Sequence, residues 1–141
     1  MIRDLLASLL GGALGGGFYE RHRRSRLARD HAAGRPLELP GSVLGGTRYC
    51  HPAGGLLRVA GTSLVWLTGR GGMSFAVPVE RLDVQDLVEV RPSEAFPGGR
   101  SVAVVCDDAG TTVRIVVLRA DLPYLALAMP RLRERLAATG A

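Results

Sequence analysis

The sequence contains no lysine; all 18 of its basic residues are arginine. That absence removes a P-loop lysine, a Schiff-base lysine and pyridoxal-phosphate chemistry from consideration. Cysteine is nearly as scarce. Cys50 and Cys106 are the only two, too few for a disulfide framework and without the CxxC spacing of a redox motif. Two reduced thiols are the expectation, with a single buried bridge as the alternative. Aromatic residues make up 5% of the chain, and none interleaves with its arginine cluster, so the stacking surfaces of a nucleic-acid binder are missing. No GxSxG, GxGxxG or HExxH motif occurs.

What is present is unevenly placed. The 141 residues carry a net charge of +5, and this length supports one globular domain of ordinary size. Residues 1–35 hold seven arginines against three acids, whereas residues 36–141 hold eleven against ten. The basic character is therefore local. The 19 glycines and 8 prolines lie between hydrophobic runs, which is the pattern of turns and not of a disordered chain.

Leu5 to Tyr19 form fifteen positions without a charge. On a helix, Leu6, Leu10, Leu14 and Phe18 make one row, Ala7, Gly11 and Gly15 a second, and Ser8, Gly12 and Gly16 a third. Rows of small residues four apart let helix backbones approach closely in membranes. In water each interior glycine costs about 1 kcal/mol relative to alanine, so the same segment would resist becoming a helix. In a bilayer the unpaired backbone costs more, and the helix is forced. Fifteen residues reach about 22 Å against about 30 Å of hydrocarbon, a marginal span that Met1–Asp4 would lengthen. The cluster Arg21, Arg23, Arg24, Arg26 and Arg29 follows at once. By the positive-inside rule it keeps the bulk of the chain cytoplasmic, and it is the expected contact for anionic lipid headgroups. A helix lying in the interface, a cleaved signal peptide, and an arm assembling a soluble homo-oligomer through residues 5–18 are the alternatives.

Residues 36–41 read as a Pro/Gly linker to a domain at 42–141, within a Pro/Gly-rich stretch that leads into a first strand at Val43–Tyr49. Beyond it the hydrophobic period falls to two. A hairpin runs through Leu57–Val59 and Ser63–Thr68. Ser74–Val79 follows with Pro78 near its end, then Leu87–Arg91 with Val88 and Val90 inward. Ser101–Cys106 turns through Asp107–Gly110, where aspartates serve the backbone, into Thr112–Leu118. The pattern then becomes helical. Asp121 is placed as a cap with Pro123 in the first turn, and Leu125, Met129, Leu132 and Leu136 form a core-facing stripe. Pro130 should kink or break this helix, and Arg131, Arg133 and Arg135 favour its C-terminal end.

Seven short antiparallel strands closed by a C-terminal helix resemble the pleckstrin-homology superfold, a small barrel or sandwich. The stretch Ser63–Arg91 is similar to its GRAM-type branch, through Phe75, Val77, Pro78, Val79 and Leu82. A hydrophobic segment, a basic stretch, and then Gly46, Arg48 and Tyr49 before the hairpin are also similar to uncharacterised actinobacterial membrane-anchored proteins with such a domain. Two departures stand out. The only tryptophan, Trp66, falls in a strand and not in the final helix, and Cys50–Gly55 lacks the basic residues that grip phosphoinositides. The resemblance therefore implies a barrel without a defined lipid specificity.

No catalytic residues, metal ligands or cofactor are expected. Adjacent Cys50 and His51 cannot easily converge on one ion, and nothing in the sequence orients Cys106 and His51 as nucleophile and base. The expectation is a non-enzymatic, membrane-associated protein that presents a cytoplasmic barrel to a protein or lipid partner.

Overall fold

The computed structural model describes residues 15–69, 72–91 and 99–138. The chain forms two compact units that divide between Arg35 and Pro36.

The first unit contains helix α1, Gly15–Ala32. It ends where Gly34 takes φ of 71°, a left-handed value that glycine adopts without a Cβ penalty. Arg35 N–H donates to the Asp30 carbonyl at 2.9 Å and Gly34 N–H to that of His31 at 3.1 Å, the paired bonds of a Schellman stop. Pro36 then bars any continuation. Glu20, Arg23, Leu27 and Asp30, spaced 3, 4 and 3, are the residues shielded from solvent between positions 20 and 32. The rest of that stretch is exposed.

The second unit is one seven-stranded antiparallel sheet: β1 Leu37–Gly45, β2 Gly55–Ala60, β3 Ser63–Thr68, β4 Ser74–Val77, β5 Asp83–Glu89, β6 Ser101–Asp108 and β7 Thr111–Leu118. The spatial order is β4-β3-β2-β1-β7-β6-β5. β1 joins two halves by changing partner along its length. Leu37 to Gly41 pair with β2, and Gly41 to Gly45 pair with β7. Side chains on one face of β1 continue into rows across both halves. Leu37, Val59, Leu64 and Val77 form one row, and Leu39, Leu57, Trp66 and Phe75 the next. Val43, Ile115, Val104 and Leu87 carry the same face across the other half. Nine of these rows' residues are 3% exposed or less, and full burial of such side chains stabilises by about 1.5–3 kcal/mol each. Trp66 is fully buried and its Nε1–H finds no partner among the described residues, an unmade hydrogen bond that costs about 1–3 kcal/mol against the burial of its bulk.

Several expectations shift. The segment 36–41 is not a linker: β1 begins at Leu37, and of the strand expected at Val43–Tyr49 only Val43–Gly45 is strand, the end of β1, while residues 46–49 turn away. Alternation of Leu37, Leu39 and Val43 was masked there by Pro40 and Gly41. β5 starts earlier than Leu87, and Val88 is exposed, not inward. A bulge between Val84 and Asp86 shifts the register, and β5 lies at the sheet edge. The β6–β7 turn is only Ala109-Gly110, both with positive φ, as a two-residue primed turn requires. Asp107 and Asp108 therefore belong to the strand.

The C-terminal helix is broken at Pro130. A 3₁₀ turn at Arg119–Asp121 leads to α2, Leu122–Leu125, and then α3, Pro130–Ala138. Pro130 opens α3, where its missing N–H costs nothing. Asp121 is buried and makes no side-chain cap bond to α2. Arg131 and Arg133 thus fall in the first turn of α3, not near a C-terminal end. Arg133 instead reaches the carbonyls of Ala126 and Leu127 at 3.5 and 3.4 Å; Ala126 also accepts from Met129 N–H at 3.2 Å, since Pro130 has no N–H to offer it. Leu125, Met129 and Leu132 are buried as expected.

The partner change in β1 leaves no room for a side chain. A Cβ on Gly41 would lie 2.7 Å from Leu57 Cδ1 and 2.8 Å from the Val116 carbonyl oxygen, one contact from each half of the sheet. Gly41→Ala is predicted to destabilise the protein by at least about 2 kcal/mol, measured as a lower urea midpoint. An unchanged midpoint would show that the two halves can separate locally at no cost.

Candidate functional site

The residues expected to hold the site lie partly on α1. Ala7, Ser8, Gly11 and Gly12 fall outside the described residues; Gly15 and Gly16 open α1. The apolar run at 5–19 lies mostly outside them as well, and no helix among the described residues is long and apolar enough to cross a membrane. Arg21, Arg23, Arg24, Arg26 and Arg29 are all on α1. At 100° per residue they spread around the helix, so they form a collar and not a single face. Arg23 is half-buried and pairs with Glu20 at 2.5 Å. Arg24 stands 3.8 Å from the same carboxylate. Arg21, Arg26 and Arg29 are exposed.

Within the sheet unit, three distant segments meet on Asp108. Tyr49, in the β1–β2 connection, donates its hydroxyl to Asp108 Oδ2 at 2.5 Å. Arg81, between β4 and β5, donates from Nε to Oδ1 at 2.8 Å and from Nη2 to Oδ2 at 3.1 Å. Asp108 is buried at the end of β6. Arg81 and then Tyr49 hold its carboxyl below the usual range, while Arg81 is itself raised by the pair. Burial first, and the bond to Asp108 second, push the Tyr49 hydroxyl up to about 12. A carboxylate so engaged is a poor base; the arrangement is a clamp that fixes two connections to the sheet. Asp107 is different: its Oδ2 accepts from Gly110 N–H at 3.2 Å and serves the turn. Sequence reasoning treated the two aspartates alike. The signal that separates them is the two-residue spacing after Val102, Val104 and Cys106, which carries Asp108 inward.

The connection that carries Tyr49 is tightly folded. His51 N–H donates to the Val43 carbonyl at 2.9 Å, and His51 Nδ1 accepts from Ala53 N–H at 3.2 Å. Thr47 Oγ1 lies 3.0 Å from Cys50 Sγ. Both thiols are free. Cys106 is buried, and desolvation pushes it up to about 12, far from the thiolate a nucleophile needs. Among the described residues no three His, Cys, Asp or Glu side chains gather where a metal ion could sit.

A groove of about 510 Å³ runs between β5 and α3, lined by Asp83, Val84, Arg131, Glu134, Arg135 and Ala138. The β5 bulge shapes it. Asp83 lies opposite Asp107 and Asp86 opposite Val105, two positions apart on β6 and so on one side of the sheet. Their separation of about 6.8 Å along the strand nearly matches the about 6 Å between residues four apart on a helix. Arg131 meets Asp83 and Arg135 meets Asp86, each at 3.6 Å.

Two measurements check these assignments. Asp108 has a lowered folded value, so its stabilisation is present above the ordinary 3.8 and is lost as pH falls through the lower folded value. Tyr49 has a raised one, so stability is retained below 10.0 and falls as pH rises toward about 12. In urea midpoints measured across this range, Asp108→Asn is predicted to weaken the protein at neutral pH and flatten the acid limb, and Tyr49→Phe to flatten the alkaline limb. Iodoacetamide at about pH 8 should modify half-buried Cys50, and Cys106 only after unfolding; rapid labelling of Cys106 in the folded protein would contradict its assignment as a core thiol. Compared with known proteins, the chain matches no protein-family model and no curated protein.

Proposed function

We propose that this is a non-enzymatic, membrane-associated interaction protein: an N-terminal apolar segment anchors it, an arginine collar meets anionic headgroups, and a cytoplasmic pleckstrin-homology-like domain faces a protein or lipid partner. The observation that carries the reading is the segregation of charge and polarity along the chain. Fifteen uncharged residues precede a cluster of five arginines, and a separate, nearly neutral unit begins at Pro36. The collar supports it: Arg21, Arg26 and Arg29 are exposed at different angles around α1, as suits a helix entering a headgroup layer more than one lying flat on it. Attraction to anionic lipid is worth about 1 kcal/mol per arginine near the surface.

The barrel reading rests on the seven antiparallel strands, on the split pairing of β1, and on C-terminal helices whose Leu125, Met129 and Leu132 are buried. The non-enzymatic reading rests on the two ionisable groups with the strongest surroundings. Asp108 is consumed by its clamp, and Cys106 is buried as a thiol.

Carbonate extraction of membranes tests the anchor. The full-length chain is predicted to stay with the membrane pellet, and a chain lacking residues 1–19 to be released. Release of the full-length chain would sink the proposal. A detergent-independent assembly that becomes monomeric on the same truncation would establish the soluble oligomer in its place.

A further inference from the structure

The sheet has two edges, β4 and β5. β4 is four residues long and runs directly into Pro78, so it offers an incoming strand little backbone. β5 is seven residues long, with every side chain exposed or half-buried. Beside its first two residues, Asp83 and Val84, lies the groove against α3. We propose that this groove takes an extended, basic peptide segment of a partner protein, which pairs its backbone with β5 and lays alternate side chains toward α3. The inference rests on the interaction-protein reading and names the surface and the partner's chemistry.

Charge selects the occupant. All the charged residues of β5 are acids, Asp83, Asp86 and Glu89, and their side chains are 57–62% exposed. The arginines that answer them stand at 3.5–3.6 Å, longer than the 2.8 Å pairing of Arg81 with Asp108. Exposed pairs of this kind contribute little and exchange readily. Among the described residues no ion pair reaches Glu134, although it lines the groove between Arg131 and Arg135. An incoming arginine or lysine therefore finds Glu134 without an ion pair among the described residues, and an Asp86 whose Oδ1 accepts from Leu87 N–H at 2.8 Å while Arg135 stands at 3.6 Å. A second copy pairing β5 with β5 would set carboxylates against carboxylates, which is destabilising. A bilayer surface has no extended backbone to offer.

The test uses the full-length protein with detergent present throughout. The probe is the fluorescein-labelled, amidated heptapeptide Arg-Val-Arg-Val-Arg-Val-Arg, compared with its Glu-Val counterpart and with a form N-methylated at every backbone amide. A protein of net charge +5 favours the acidic peptide non-specifically, so preference for the basic one reports a local site. By anisotropy the basic peptide should bind at least about tenfold more tightly than either comparison peptide, and amides of 83–89 should gain protection from hydrogen exchange. Glu134→Arg should weaken binding at least about tenfold, while Glu38→Arg, the same charge change on β1, should leave it within about twofold. Absence of binding, equal binding of the acidic or N-methylated peptide, or protection elsewhere in the chain would each overturn the proposal. The outcome is separable from that of the anchor: peptide binding by a chain released from membranes upholds the groove, and a membrane-retained chain that ignores the basic peptide refutes the groove alone.

Discussion

Everything in the sheet unit depends on one strand serving two partners. β1 gives its first five residues to β2 and its last five to β7, and Gly41 belongs to both sets. Without that change the seven strands would be two unconnected sets of pairings, β2–β4 and β5–β7. The glycine is required by space. Its position is closed by Leu57 on one side and the Val116 carbonyl on the other, so only a residue without a side chain lets the strand pass. Pro40, immediately before it, lacks an N–H, and the shared rows Leu37–Val59–Leu64–Val77 and Val43–Ile115–Val104–Leu87 then bury one face of both halves.

Charge in this unit is used mostly to position. The buried carboxylate of Asp108 gathers a tyrosine from one connection and an exposed arginine from another, a well-satisfied arrangement in which removing either partner is costly because the carboxylate itself stays buried. At the β5 edge the pairs are longer and exposed. They align α3 with the strand without filling the space between them. The two regions show how burial divides equal chemistry into a fixed joint and an adaptable surface.

The N-terminal unit obeys a different solvent logic. From Glu20 onward α1 is polar on most of its circumference, and the side it shields is built on Glu20 and Arg23 as much as on Leu27. A helix of this kind gains little from burial of an apolar stripe. Its support comes from its stop at Gly34 and from spaced ion pairs.

The sequence by itself determined the local events: mostly strands of period two, the hairpin through Leu57–Val59 and Ser63–Thr68, the helix break at Pro130 and the division of charge near residue 35. These follow from φ limits, missing N–H groups and alternation, which act over a few residues. It also marked Leu125, Met129 and Leu132 as core. It misplaced β1, because Pro40 and Gly41 read as linker residues until both neighbouring strands are in place. It misjudged Val88, because a bulge changes which residues share a face. Tertiary structure alone decided that Tyr49 and Arg81 meet on Asp108, and that α3 faces β5 across an open groove. Those features depend on contacts between positions 27 to 59 residues apart, and no local pattern fixes which distant segments a folded sheet brings together.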